Sequence, residues 1–280
     1  MMLTIDKDKI DAFRRWLEER EYSHATISKY LHDIRVLADY AGSGIADRNH
    51  LKGFRAHLEE KDYSGRSINS MLGAVNCFLD FIGCDWKLRY VKVQRQNFRP
   101  EGQELNQKEY ERMAYTAEEN GDRKLALLLQ TLCALGIRVS ELSAISVESL
   151  ASGVAVIQNK GKLRQILIPK GLAAKLRIYC KQKGIKNGAI FVTRTDKPLD
   201  RSNIWKMLKK LAAMAKVAAE KVFPHNFRHL FARTYYKKFK DIVRLADILG
   251  HSNIDTTRIY TAHSGHEERR QLDQLHLILN

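Results

Sequence analysis

The sequence predicts a mainly α-helical protein in two parts, with one small β-hairpin in the second. Three observations carry this. Only 4 Pro and 16 Gly interrupt 280 residues, which leaves little chain for loops. Apolar residues recur at helical spacing through most segments. Two β-rich stretches flank Gln158, Asn159, Lys160, Gly161 and Lys162, a turn sequence with lysines at its tip.

Residues 1–83 read as four helices. Asp6–Glu21 is amphipathic. Ser23 offers an N-cap to a second helix, with Ile27, Tyr30, Leu31, Ile34 and Leu37 on one face and Gly42 and Gly44 at its end. Asp47 opens a third helix to about Lys61. Ser64 opens a fourth carrying Ile68, Leu72, Val75, Leu79 and Ile82, and Gly83 stops it. Short connections between them predict a small bundle. From Trp86 to Pro100 the pattern breaks: Lys87, Arg89, Lys92, Arg95 and Arg99 occur without an acid, as expected of a strap along a phosphate backbone.

In the second part Asn106 caps a helix to about Asn120, and Arg123–Leu135 forms a more apolar one ending near Gly136. Val154–Ile157 and Leu163–Pro169 form the hairpin. Helices are expected at about 170–183, 201–219, 224–239 and 241–249, with a short strand at Ile190–Val192 and Gly250 at a C′ position. Glu267–Leu279 is again amphipathic.

Composition narrows the function. Apolar residues at 44% suffice for a core, and 29% charged residues exclude a membrane protein. The 48 Lys and Arg against 32 Asp and Glu leave +16, which points to nucleic acid. Most of that charge is in the second part, where residues 101–280 hold 31 basic against 18 acidic side chains. The longest apolar run, Leu125–Ile137, is too short to span a bilayer, and the charged N-terminus argues against secretion. Cys77, Cys84, Cys133 and Cys180 form no C-x-x-C pair and read as buried thiols of a reducing cytosol.

The strongest local signal is Pro224-His225-Asn226-Phe227-Arg228-His229. Pro suits the first turn of a helix, which places His225, Arg228 and His229 on one face. A His and an Arg together on a rigid element can grip an oxyanion and move a proton beside it. A zinc helix is the rival, but the internal Glu of the metalloprotease motif is missing. Arg138 follows an apolar helix and a Gly, where a guanidinium needs Glu141 or an anion as partner. His251 follows the exit of another helix, and Tyr260 ends a helical turn nine residues later.

In order and local wording, LGIRVSEL (135–142), the NKGK hairpin, PHNFRH (224–229) and ILGHSNIDTTRIY (248–260) resemble the tyrosine recombinase (phage integrase) family. The resemblance implies a four-helix, SAM-like core-binding domain at 1–85, a basic linker at 86–103 and an α+β catalytic domain at 104–280, with an exchange helix at about 265–280. It further implies a short, Xer-like, site-specific recombinase acting through a 3′-phosphotyrosyl intermediate and a Holliday junction. The role is integration and excision, inversion or dimer resolution. Tyr260 is the nucleophile by position, His225 the general base, and Arg138 and Arg228 the clamps on non-bridging oxygens. Lys160, favoured over Lys162 by the family's Gly-Lys-Gly pattern, protonates the leaving oxygen. His251 holds a phosphate oxygen and Glu141 orients the site. His229 and Phe227 support their helix, while Arg258 is either a phosphate contact or plain surface. No cofactor and no metal is implied.

DNA contacts are expected from Ser23, Thr26, Lys29, Arg66, Ser67, Asn69, Arg95 and Lys162. The implied partners are double-stranded DNA with inverted-repeat core sites and further copies of the chain, as a homotetramer built by exchange of the C-terminal helix. Accessory proteins or a second recombinase are a further option, and the location is the cytoplasm, at the nucleoid. Two alternatives remain: a nicking-closing enzyme like a type IB topoisomerase, and a non-catalytic DNA-binding regulator.

Overall fold

The first four helices each start on a side chain that accepts a main-chain N–H. In the computed structural model, Asp6 precedes α1 (Lys7–Glu19), Ser23 α2 (His24–Ala41), Asp47 α3 (Arg48–Glu60) and Ser64 α4 (Gly65–Phe81). Each cap satisfies a donor that the helix itself leaves unpaired, worth about 1 kcal/mol. The structure describes residues 4–42, 44, 45, 47–93, 102, 104–159, 162–260, 269, 270 and 273–275. It divides into two units, Met1–Arg95 and Gln96–Asn280.

The core of the first unit is the set of helix faces read from the sequence. Ile27, Leu31, Ile34 and Leu37 of α2 are buried with Ile68, Leu72, Val75 and Leu79 of α4, around Phe13, Phe54 and Phe78. Tyr30 is half-buried and lies against Tyr22.

The expected linker at 86–103 is corrected in its first half. Leu88 is buried in the first unit's core, and Trp86 and Val91 pack on it. Two α4 carboxamides hold the segment there. Asn76 accepts from Leu88 N (2.8 Å) and donates to Leu88 O (3.0 Å). Asn69 does the same to Val91, at 2.7 and 2.9 Å. An amide presents one donor edge and one acceptor edge, so each Asn completes the pairing an extended chain would find in a sheet. Arg95 lies outside the described residues.

In the second unit α5 (Gln107–Glu119) begins with a capping box between Asn106 and Glu109. The α6 helix (Arg123–Leu135) is the most buried element and packs against α5, α8 (Lys170–Lys183) and α10 (Pro224–Phe239). Gly136 ends α6 at φ +59°, and a Cβ there would lie 2.3 Å from the Phe231 ring. Both the left-handed turn and the close approach therefore require glycine. A 3₁₀ segment at Val139–Ala144 and α7 (Val147–Ser152) lead into the hairpin of β1 (Val154–Asn159) and β2 (Lys162–Leu167). The antiparallel register runs from Val154 opposite Leu167 to Asn159 opposite Lys162. Ala155, Ile157 and Ile166 face the core, while Val156, Leu163 and Leu167 face out.

Three further expectations are corrected. Ile190–Val192 forms no strand; only isolated bridges occur, from Val192 itself to Pro198 and from the preceding Ala189 to Ser146. Ile190 and Phe191 are nonetheless buried, because Ile190 N reaches Ile145 O at 3.1 Å and Leu199 N reaches Phe191 O at 3.1 Å. The helix expected at 201–219 stops earlier, as α9 (Arg201–Met214). Lys216 turns to φ +50° and Val217 N bonds back to Ala212 O, a closure that satisfies the helix-end carbonyls. Of the four cysteines only Cys180 is fully buried; Cys77, Cys84 and Cys133 are half-buried. The remaining helices are α11 (Ile242–Leu249) and the single turn α12 (Asp255–Arg258). Most of the amphipathic segment near the C-terminus, including most of the expected exchange helix, lies outside the described residues. Among the described residues no helix is long and apolar enough to cross a membrane.

Candidate active site

Pro224 at the first position of α10 fixes the helix start, which puts His225 in the exposed first turn and Arg228 one turn deeper. Arg228 is 1% exposed, yet it is a cation. Its burial is balanced by hydrogen bonds to the ends of two helices. One terminal nitrogen donates to Gly136 O after α6 (2.7 Å), and the other to Leu249 O at the end of α11 (2.7 Å). Both carbonyls lie at helix ends, where the helix itself supplies no N–H donor to them.

The second nitrogen also lies 2.9 Å from His251 Nε2. A guanidinium only donates, so Nε2 is the acceptor and Nδ1 carries the proton, which it gives to Thr257 Oγ1 at 2.8 Å. The His251 tautomer is thereby fixed. Burial, then the charges of Arg228, Arg138 and Arg164, push His251 down to about 4, so the ring is neutral at pH 7. Burial and the nearby Arg138 likewise push Arg228 down to about 10. Its Nε is buried and finds no partner among the described residues.

Arg138 sits at the start of the 3₁₀ segment and is one-third exposed. Glu141 grips it twice: Oε2 accepts from its main-chain N (2.7 Å) and Oε1 from its side chain (2.8 Å). Arg138, His225 and Arg228 line one cleft of about 750 Å³ together with Arg201, Trp205 and Lys209. Asp200, also on its wall, is occupied in capping α9. The cleft therefore has a strong excess of positive charge. Partial desolvation, then Arg228, Arg138 and Arg201, hold His225 below its ordinary range, which leaves it a free base at neutral pH.

Tyr260 follows α12 and is only 4% exposed, in an apolar cluster with Ala232, Leu245 and Leu249. Its ring lies 6.1 Å from that of His251, nearly parallel, and 5.1 Å from that of His229. His229 in turn contacts His225, 4.6 Å between ring centres. Phe227 is fully buried in the core of the second unit. Arg258 is exposed and 3.4 Å from Asp255.

Arg138, Glu141, His225, Arg228 and His251 are thus brought together, with Tyr260 against His251. Lys160 lies outside the described residues. Lys162 closes the hairpin through its main chain, and its side chain is likewise outside them.

In the first unit, Ser23 and Thr26 share a hydrogen bond of 2.8 Å, as do Ser64 and Ser67. Lys29 pairs with the buried Asp33 and donates to Ser70 O at 3.1 Å. Arg66 is exposed. Asn69, expected at a DNA groove, spends one hydrogen bond from each edge of its amide on Val91.

Sequence reasoning missed Arg164, which donates to Glu141 Oε2 at 2.5 Å and to Ile248 O at 2.8 Å. The available signal was its alternation: Arg164 shares the inward face of β2 with Ile166, an unusual place for a cation. Thr257, fully buried, was likewise missed as the partner of His251.

The chain is 33% identical over 171 residues to "Tyrosine recombinase XerD" of Staphylococcus saprophyticus, an alignment covering 57% of each protein. It is 35% identical over 165 residues to "Tyrosine recombinase XerA" of Thermococcus kodakarensis, covering 56% of each. The chain spans only about half the length of the curated relatives it matches. Among solved structures, the XerH site-specific recombinase bound to its difH substrate has the same fold (TM-score 0.67, 19% identity, 95% of this chain and 89% of that one). So does a lambda integrase tetramer bound to a Holliday junction (TM-score 0.72, 16% identity, 90% and 76%). Residues 10–82 match the phage integrase N-terminal SAM-like domain, and residues 103–267 match the phage integrase family itself. With more than half its length inside that second match, and a two-arginine cleft in the same region, the chain belongs to the phage integrase family.

Proposed function

We propose that the chain is a site-specific DNA recombinase that cuts and rejoins duplex DNA through a 3′-phosphotyrosyl bond and a Holliday junction. The observation that carries this is the meeting of Arg138 and Arg228, distant in sequence, on one cleft that His225 also lines. Tyr260 Oη attacks the phosphorus and the bond to the 5′-oxygen breaks. The phenolic proton passes to the neutral His225, and Lys160 protonates the departing 5′-oxygen. Arg138 and Arg228 neutralise the non-bridging oxygens as their charge grows, a task suited to fixed donors that are always charged. For His251 to hold the same phosphate, its Nε2 must leave Arg228 and carry the ring proton, with Nδ1 then accepting from the Thr257 hydroxyl. The ester energy is kept in the tyrosyl link, so rejoining is the reverse attack by a 5′-hydroxyl.

Tyr260 is packed away in its apolar cluster, so attack requires its segment to turn outward, and DNA binding supplies the free energy for that turn. In the first unit Ser23, Thr26, Lys29, Arg66 and Ser67 meet the duplex, with Arg95 and Lys162 as phosphate contacts. Four copies pair two duplexes by exchanging the C-terminal helix. The substrate carries inverted-repeat core sites, and the role is integration and excision, inversion or dimer resolution.

The test uses duplexes enriched from random sequence by the protein itself, nicked near the cut so that the released 5′ fragment diffuses away. A protein–DNA adduct on a 3′ phosphate, with a free 5′-hydroxyl opposite, is expected. Binding without an adduct would mark a non-catalytic regulator. Relaxation of supercoiled DNA lacking any selected site would mark a nicking-closing enzyme. A chain ending at Ser264 should bind single duplexes but fail to pair two of them, which native gels at constant salt will read.

A further inference from the structure

Arg164 joins three separate elements at the edge of the anion cleft. It leaves β2 on the inward face, with a side chain only 16% exposed. One nitrogen meets Glu141 Oε2 (2.5 Å), the oxygen that also accepts the Arg138 main-chain N–H. The other meets Ile248 O (2.8 Å), two residues before Gly250. Gly250 stands at φ +65°, and a Cβ there would lie 2.7 Å from Arg164 Cδ. The Arg164 stem thus runs against the turn that delivers His251. Its Nε is buried with no partner among the described residues, so packing and the two terminal nitrogens hold it.

The physical consequence concerns Glu141. This carboxylate accepts three hydrogen bonds, two from Arg138 and one from Arg164, and its side chain is 4% exposed. Arg138 is the more exposed of the pair, at 33%. What fixes its direction is the carboxylate, and what fixes the carboxylate from the far side is Arg164. The same guanidinium ties that pair to the end of α11, where Arg228 holds the adjacent carbonyl of Leu249. Two separate anion-binding arginines are thereby given one frame of reference.

We infer that Arg164 is a positioning residue: it locks Glu141 to the end of α11 and so aims Arg138 at the phosphate held by Arg228 and His251. This rests on the recombinase reading above. A group that aims Arg138 matters in proportion to the charge Arg138 must neutralise, and the experiment exploits that dependence. Single-turnover cleavage is measured on the natural phosphodiester and on a substrate whose scissile phosphate carries a methyl group in place of one charged non-bridging oxygen.

For Arg164→Met we expect a loss of about 10-fold or more on the natural phosphate and under about 3-fold on the neutral one, with duplex affinity unchanged. Arg164→Lys, which keeps the charge and one donor head, should show the same split in smaller degree and covers the case in which the Met variant fails to fold. Equal losses on both substrates, or no loss on either, in the variant that folds would overturn the inference. Arg138→Ala run in parallel separates the two levels. A split there with none at Arg164 refutes only the positioning role, whereas no split at either also refutes the clamp assigned to Arg138.

Discussion

Tyr260→Phe should form no covalent adduct with DNA while binding the same duplex within about twofold of the parent, because phosphate contacts dominate such affinity. The substitution removes one oxygen. A phenylalanine ring fills the same volume among Ala232, Leu245 and Leu249, so the fold should be retained, as a volume-conserving swap predicts. Without the oxygen there is nothing to attack phosphorus, and the rate should fall below detection. The parent supplies a second readout. His225 is held below its ordinary range, so at pH 7 it is unprotonated and able to take the phenolic proton. As pH falls through its lowered pKa the base is lost, and cleavage should decline about tenfold per unit on that acid limb. An adduct surviving in Tyr260→Phe would move the nucleophile elsewhere.

Arg228→Met should remove at least about 10²–10³-fold from single-turnover cleavage, the usual scale for losing a fixed donor to a growing oxyanion. Stability should change far less. Two terms of similar size oppose each other. The substitution strips partners from Gly136 O and Leu249 O, at about 1–3 kcal/mol for each buried group left unpaired. It also removes a buried cation whose pKa is pushed down to about 10, a penalty on the charged form of about 3 kcal/mol. The net change should lie between a gain of about 1 and a loss of about 3 kcal/mol, readable as a denaturant midpoint shift at constant slope. On this account Arg228 adds little net stability and is kept for the sake of an anion. A collapse of the fold with cleavage retained in the surviving molecules would reverse that conclusion.

The parts of the structure governed by local chemistry were legible in the sequence. Ser23, Asp47, Ser64 and Asn106 all cap where their positions suggested, and Gly136 and Gly250 end helices in the left-handed conformation. The pairing of Arg138 with Glu141 was also readable, because a guanidinium beside an apolar helix needs a carboxylate within reach. What escaped depends on contacts between distant segments. Ile190–Val192 has the composition of a strand, but its neighbours offer only single bridges. Asn69 and Asn76 look like polar surface residues of α4 until the 86–91 segment folds back to use them. Trp86–Pro100 reads as linker from its charge, whereas Leu88 belongs to the core of the first unit and Val91 packs on it. Arg164 went unnoticed because its partners, Glu141 and Ile248, lie 23 and 84 residues away. The burial of Tyr260 depends on α10 and α11 together and has no signature in its own segment.

The central claim is that Arg138 and Arg228 share one scissile phosphate, with Tyr260 delivered to it. A crystal structure of Tyr260→Phe on a duplex that the protein itself selects tests this most directly. The expected result is a single phosphate with oxygens within roughly 3 Å of both guanidinium groups and of His251, and the residue 260 ring turned out of its apolar cluster toward the phosphorus. A phosphate bound by Arg138 with Arg228 still confined to its two carbonyls, or DNA bound without any phosphate in the cleft, would contradict it.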